Sequence, residues 1–298
     1  MEPHIAFVIP TNRPSLGLAC AKRLISQTDE ESDLVVLVIQ GDPVASGDVD
    51  SRIKIVTTAT RGATVARNVG IDYVVANYGH AYSYIFPNDQ TVYSSESIRA
   101  ARNFVVANSM SVGIGSWCMS DLDIHVKSKT PVGQTLSKEH AFLAYEPAVI
   151  FPGEVFARHR FDQSIGTGSA SKAQSCEAPD LVLQSMNAGF LSRYVPEFIA
   201  TNPSTTYQLT KAEARKKIYG YAVGSGVAYR KWQGDVGKTR SLLQILSPLA
   251  GFMIGRPYWR AMGLKMAFIA SFGRMRGRFF TEQADNTEMN TWVISKMP

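Results

Sequence analysis

Four short strand-like runs, HIAFVIP, DLVVLVIQGD, RIKIVTT and YSYIF, recur within the first 86 residues, separated by stretches of helical periodicity. No other feature narrows the fold as much. A continuous apolar run of this length is the pattern of a strand buried on both faces. Between the first two runs, Leu16, Cys20 and Leu24 recur every four residues, Ala21 and Ile25 widen the stripe, and Lys22, Arg23 and Gln27 face outward. Thr11 or Asn12 can cap this helix, with Pro14 tolerated in its first turn. ATVARNVGIDYVVANYG reads as a second helix closed by Gly79. Strand–helix–strand alternation with short turns implies right-handed crossovers and a largely parallel sheet flanked by helices. Ligands of such sheets bind at the carboxyl ends of the strands. Pro10–Arg13, Gln40–Pro43 and Pro87–Gln90 therefore project to one candidate edge.

After residue 95 the alternation loosens. SIRAARNFVVANS reads as a helix and VGIGSWCMSDLDIHV as strand and turn. GTGSASKAQSCEAPD is a polar loop feeding the helix DLVLQSMNAG, which Gly189 stops, and SRYVPEF is a short strand. From Lys211 onward the chain reads as helical, with loops near Gly234 and Pro248. The expected division is residues 1–110, residues 111–210 as the second half of the same domain, and a helical C-terminal region, 211–298.

Charge and cysteine usage restrict the function classes. Cys20, Cys118 and Cys176 are scattered without CxxC spacing, which argues against a disulfide framework or zinc site and for a reducing, cytoplasmic setting. The N-terminal apolar run is too short for a signal peptide, and no run of about 18 apolar residues suggests a spanning helix. The net charge of +6 is uneven: no acidic residue lies between Asp235 and Glu282, where eight basic residues interleave with Phe252, Trp259, Phe268, Phe272, Phe279 and Phe280. That mixture suits the headgroup layer of an anionic membrane, approached from its cytoplasmic face. Packed helices with solvated arginines are the plainer reading. No nucleic-acid motif accompanies the charge. GTGSASK lacks the spacing of a phosphate loop, and Gly224-Ser225-Gly226 follows no strand.

Four fragments in order resemble the family 2 inverting glycosyltransferases of the GT-A fold, of the bacterial surface-polysaccharide type. FVIPTNRPSLGLACAKRLISQT is similar to their first strand, turn and helix, and RGATVARNVGID to their G-x-x-x-A-R-N-x-G helix. FPNDQTVY is similar to their Asp-rich metal turn, and FDQSIGTGSASKAQSCEAPDLVLQSMNAGFLSRYVPE to their acceptor-side block. The resemblance spans roughly residues 4–200. It implies a GT-A-like, Rossmann-related α/β fold in which residues 1–110 bind a nucleotide-sugar donor and 111–210 a saccharide or lipid-linked acceptor. It also implies a divalent cation, Mg²⁺ or Mn²⁺, at Asp89.

A diphosphate leaving group needs its developing charge neutralised, and inversion needs a carboxylate on the opposite face to deprotonate the acceptor hydroxyl. Under the resemblance Glu177 is the favoured base, Asp180 the alternative. Pro10, Thr11, Arg13, Asp42, Arg61, Arg67, Asn88 and Asp89 line the donor side, Asp42 toward the base and Arg61 and Arg67 toward base or phosphates. Three departures stand out. The run of aspartates is Asn88-Asp89-Gln90 here, which leaves one carboxylate and a cation that is weakly held or dispensable. The Glu-Asp acceptor motif is Glu177-Ala178-Pro179-Asp180, and Thr201-Asn202-Pro203 stands where a histidine is often found. A sugar-nucleotide-binding protein without transfer activity is the competing expectation.

Overall fold

The computed structural model describes residues 4–28, 31–42, 49–120, 124–126, 134–203, 209–254 and 257–279. The chain divides into two compact units, residues 1–169 with 177–204, and residues 170–176 with 205–298. The first unit is a mixed eight-stranded sheet with helices against it. Its elements are β1 (His4–Thr11), α1 (Pro14–Gln27), β2 (Leu34–Gln40), β3 (Ile53–Thr58), α2 (Ala63–Tyr78), β4 (Tyr82–Ile85), α3 (Ser95–Ala107), β5 (Ser111–Met119), β6 (Ile124–Val126), β7 (Val149–Phe151), α4 (Glu177–Asn187) and β8 (Leu191–Asn202). Strand order is β3-β2-β1-β4-β7-β5-β6, with β8 pairing β5. The pairs among β1–β4 and the pair β5–β8 are parallel; β7 and β6 join antiparallel.

The alternation of side chains along β1 explains why both of its faces are apolar. Ile5, Phe7 and Ile9 share a core with Cys20, Ala21, Leu24 and Ile25 of α1 and with Ile98 and Ala101 of α3. Val8 points the other way, where α2 lies so close that a Cβ on Gly70 would come within 2.3 Å of Val8 Cγ1. Each such aliphatic side chain contributes about 1.5–3 kcal/mol on burial. Leu16, assigned to the buried stripe of α1, is instead exposed; the helix meets β1 and β2 at Gly17, whose missing side chain lets Thr11 and Leu37 approach. Neither Thr11 nor Asn12 is the cap: the cap position is Arg13, whose N–H donates to Thr11 Oγ1 (2.9 Å).

β8 runs further than SRYVPEF suggests. Pro196 cannot donate to a ladder, but the register with β5 jumps from Gly115↔Val195 to Ser116↔Ile199, so the proline falls in a bulge and pairing resumes.

The second unit holds α5 (Lys211–Lys231), α6 (Gln233–Val236), α7 (Lys238–Met253) and α8 (Pro257–Phe279). Thr210 and Glu213 close a capping box at the start of α5. The Gly224-Ser225-Gly226 stretch serves packing: a Cβ on Gly226 would meet the Arg274 carbonyl of α8 at 2.2 Å. Pro248, expected in a loop, sits inside α7. Its missing N–H would orphan the Gln244 carbonyl four residues back, and Arg274 Nη1 donates to that oxygen at 2.7 Å. Arg278 is likewise buried, bonded to Ser241 Oγ, to Gln233 Oε1 (2.9 Å) and to the Tyr229 carbonyl (3.4 Å). Two of the basic residues read as surface charge therefore hold the helices together. Opposite them, Leu242, Leu243, Leu246 and Met253 of α7, with Ile254 just after it, are exposed on one helical face. Among the described residues no helix is long and apolar enough to cross a membrane.

Candidate active site

Because β1 and β4 are parallel neighbours, their carboxyl ends bring Thr11 and Arg13 beside the turn that follows β4. That turn is closed by Asn88 N–H donating to Thr91 Oγ1 (2.8 Å) and Thr91 N–H donating to the Asn88 carbonyl (3.0 Å). Asp89 is thereby aimed back at β1. Thr11 Oγ1 donates to Asp89 Oδ2 at 2.7 Å, Arg13 Nε donates to the same oxygen at 3.1 Å, and Arg13 Nη2 pairs with Oδ1. The carboxylate is buried, and these charge-assisted bonds replace the water it has lost.

Arg67 is the second organising cation. Gly62, at φ 124°, turns the chain into α2, and its neighbour Ala63 donates to the Thr167 carbonyl at 2.9 Å. One turn further on, Arg67 is only 2% exposed. Its Nη1 donates to Glu177 Oε1 at 3.2 Å and its Nη2 to Asn88 Oδ1 at 3.3 Å. The guanidinium also lies over the Phe161 ring, 5.5 Å from its centroid, and Asn68 fixes the Phe161 backbone with two bonds of 2.9 and 3.0 Å. One side chain thus joins the turn after β4 to the start of α4.

Glu177 opens α4, directly after Cys176, the one described non-glycine residue with positive φ (73°). A left-handed backbone there costs on the order of 1–2 kcal/mol and sets the direction in which the helix begins. Gly166 passes close by; a Cβ there would sit 3.1 Å from the Glu177 carboxyl. Thr167 N–H donates to Glu177 Oε1 at 3.4 Å. Glu146, from the short 3₁₀ turn Glu146–Ala148, faces the same helix end, its Oε1 accepting from Ala178 N–H at 3.3 Å. Burial first, and the Glu177 charge second, push the Glu146 carboxyl up to about 7, with Arg67 pulling the other way. Tyr145 Oη accepts from Asn88 Nδ2 (3.3 Å) and from Asn202 Nδ2 (2.5 Å). Asn202 Oδ1 is buried without a partner among the described residues.

Of the residues singled out in the sequence, Thr11, Arg13 and Asp89 form one bonded set and Arg67, Asn88 and Glu177 another, the two meeting where Asn88 and Asp89 are neighbours in the turn after β4. Pro10 is buried within β1, paired with Val38. Asp42 and Arg61 lie at the surface, bonded to none of these groups. Asp180 is completely buried and accepts from Gln184 Nε2 at 2.7 Å, one turn along its own helix. Sequence reasoning missed Tyr145, Glu146 and Asn202; the first two sit in an aperiodic segment, and the only signal was a lone glutamate before a proline. Among the described residues no three His, Cys, Asp or Glu side chains are grouped to hold a metal ion.

No family model and no curated protein sequence matches the chain. Solved structures do. The mannosyltransferase PcManGT from Pyrobaculum calidifontis, solved with GDP-Man and Mn²⁺, is 13% identical with a TM-score of 0.60, the match covering 95% of this chain and 89% of that one. S. aureus TarS 1-349 is 12% identical with a TM-score of 0.50, covering 93% of both chains. The same TarS fragment in complex with UDP-GlcNAc is 11% identical with a TM-score of 0.51, again covering 93% of both. At these identities the likeness speaks to architecture, and the architecture is a GT-A-like α/β fold of the kind these glycosyltransferases adopt, with a helical C-terminal region.

Proposed function

We propose that this chain is an inverting glycosyltransferase that moves a sugar from a nucleotide-sugar donor to a saccharide or lipid-linked acceptor in surface-polysaccharide synthesis. The observation that carries the reading is the Arg67 bridge, which ties Asn88 of the turn after β4 to Glu177 at the head of α4. An inverting transfer needs a diphosphate site and a carboxylate within the span of one sugar, and this bridge spans the two. The ligands of the structural neighbours, GDP-Man for PcManGT and UDP-GlcNAc for TarS, support a sugar nucleotide as the donor.

In the proposed reaction the acceptor hydroxyl gives its proton to Glu177 while its oxygen bonds to the anomeric carbon. The bond from that carbon to the diphosphate breaks on the opposite face, and its electron pair leaves with the diphosphate. Asn88 offers hydrogen bonds to the ribose, Asp42 and Arg61 flank the base, and Asn202 Oδ1 accepts from an acceptor hydroxyl. Asp180, buried against Gln184, positions Glu177 through the helix they share.

A divalent cation fits this donor set poorly. Mg²⁺ commonly rests on one or two carboxylates plus phosphates and water. Here both oxygens of the only carboxylate in the turn already accept from Thr11 and Arg13, and its neighbours Asn88 and Gln90 are amides.

For the second unit we infer peripheral contact with an anionic membrane. The open apolar face of α7, begun by the exposed Lys238 and Arg240 with no acidic residue from Val236 to Thr281, supports it.

The test is release of nucleoside diphosphate from a panel of UDP-, GDP- and dTDP-sugars, with and without added saccharide. Glu177→Gln should lower kcat by about 10²–10⁴ while sparing donor binding. Binding without turnover by the wild-type protein would favour the non-catalytic sugar-nucleotide-binding reading instead. Should Asp180→Asn be the more damaging change, the two carboxylates exchange roles.

A further inference from the structure

We propose that Arg13 takes the place of the divalent cation, supplying the positive charge that meets the donor's diphosphate, and that Asp89 is a positioning residue for Arg13. The inference rests on the nucleotide-sugar reading given above.

Three features lead to it. The first is the charge of the turn. With amides at positions 88 and 90, Asp89 carries the only negative charge there, and the Arg13 guanidinium cancels it. A turn with several carboxylates repels a diphosphate unless a cation stands between them; a neutral Arg–Asp pair does not. The second feature is how Arg13 is held. Its backbone N–H is bonded to Thr11 Oγ1, the Thr11 hydroxyl is itself bonded to Asp89, and Asp89 grips the guanidinium on its Nε and Nη2 edge. Gln90 Oε1 accepts a further bond from Nη2 at 3.2 Å. Asp89 and Gln90 thus fix the guanidinium plane, while Thr11 holds both the Arg13 backbone and Asp89.

The third feature is what remains open. The Arg13 side chain is 47% exposed, and Nη1, with two N–H donors, has no partner among the described residues. A fixed guanidinium with one edge anchored on a carboxylate and the other facing solvent is a ready anion site, since its planar fork matches phosphate oxygens. Aligned hydrogen-bond donors that need no reorganisation stabilise a leaving group's growing charge. Arg67, bonded to Asn88 of the same turn, adds a second positive charge near the residue that precedes Asp89.

Calorimetric titration of the full-length protein with UDP, GDP and dTDP, in EDTA and then with Mn²⁺ or Mg²⁺ restored, tests the proposal. At least one nucleotide is expected to bind, with an affinity that EDTA changes by no more than about twofold. Arg13→Ala should weaken that binding by about 10- to 100-fold, the scale of a lost charge-assisted bond. Arg13→Lys should recover part of it, still without metal. Arg13→Gln keeps a hydrogen-bond donor toward Asp89 but not the charge; it is expected to fold, with a thermal midpoint lowered by the lost ion pair to the buried Asp89, and to bind as weakly as Arg13→Ala. Binding that collapses in EDTA and returns with Mn²⁺ equally in wild type and Arg13→Gln would overturn the proposal and leave the nucleotide-sugar reading standing, with the metal on Asp89. Wild-type affinity in Arg13→Gln would overturn it as well. Failure of all three nucleotides to bind the wild-type protein would remove both.

Discussion

Replacing Arg67 with Met removes the one cation shared by a cluster of buried acids, and the size of the effect follows from the geometry. Arg67 and Glu177 are 2% and 4% exposed, with Nη1 and Oε1 at 3.2 Å. At an effective dielectric constant of about 20 that pair interacts by roughly 5 kcal/mol. Breaking a buried pair by deleting one partner costs about 3–5 kcal/mol in practice, since the other charge is left without compensation. Met keeps most of the apolar stem, so the loss reports charge and not volume. The first unit holds about 200 residues, for which 1 kcal/mol moves the thermal midpoint by about 2–4 °C. Arg67→Met should therefore lower it by roughly 6–20 °C, read by circular dichroism or calorimetry. Adding Glu177→Gln to Arg67→Met should restore about 1–3 kcal/mol, because it removes the stranded charge. A single substitution costing under about 1 kcal/mol, or a double substitution whose cost is the simple sum, would refute the view that Arg67 holds Glu177 in place.

Glu146 makes stability depend on pH in a definite direction. Its carboxyl is raised to about 7 in the folded chain from an ordinary value of 4.5, so the folded state binds more protons between those limits. Stability should fall as pH rises from about 4.5 to about 7 and level off above; Glu146→Gln should lack that slope and be the more stable of the two at pH 8, as urea midpoints across the range would tell. For the second unit, co-sedimentation with anionic liposomes should exceed that with neutral ones and weaken as salt is raised, the Debye length being about 8 Å at physiological ionic strength. Leu243→Glu combined with Leu246→Glu should abolish it, and equal, negligible sedimentation with both lipids would return α7 to the plainer reading of a packed helix.

The strands β1 and β2 were legible because each is apolar and buried along nearly its whole length, which a doubly covered sheet explains, whereas β3, at the end of the strand order, is only partly buried. That placed the candidate ligand edge as well: once β1 and β4 are parallel neighbours, Thr11, Arg13 and Asp89 must meet. Arg67 was legible as a candidate but not in its role, since a helical arginine looks the same in sequence whether it faces water or a buried glutamate. Pro248 misled because it lacks a donor and what makes good the loss, Arg274, is distant in sequence; Pro196, read within a strand, does lie in one, at the bulge against β5. Tyr145 and Glu146 were invisible because neither belongs to a periodic element; they reach the site only through the fold that returns the 3₁₀ turn to the head of α4. Leu16 shows the limit of periodicity itself, because a glycine allowing close approach outweighs a leucine one residue earlier.

The central claim is that a sugar nucleotide lies at the edge formed by the ends of β1 and β4. A crystal structure of the protein soaked with whichever nucleotide sugar binds most tightly tests it most directly. The account predicts diphosphate oxygens within hydrogen-bond reach of Arg13 Nη1, the ribose against Asn88, and the sugar on the side of Glu177. A nucleotide bound away from Thr11, Arg13, Asn88 and Asp89, or one whose diphosphate contacts neither Arg13 nor Arg67, would contradict it.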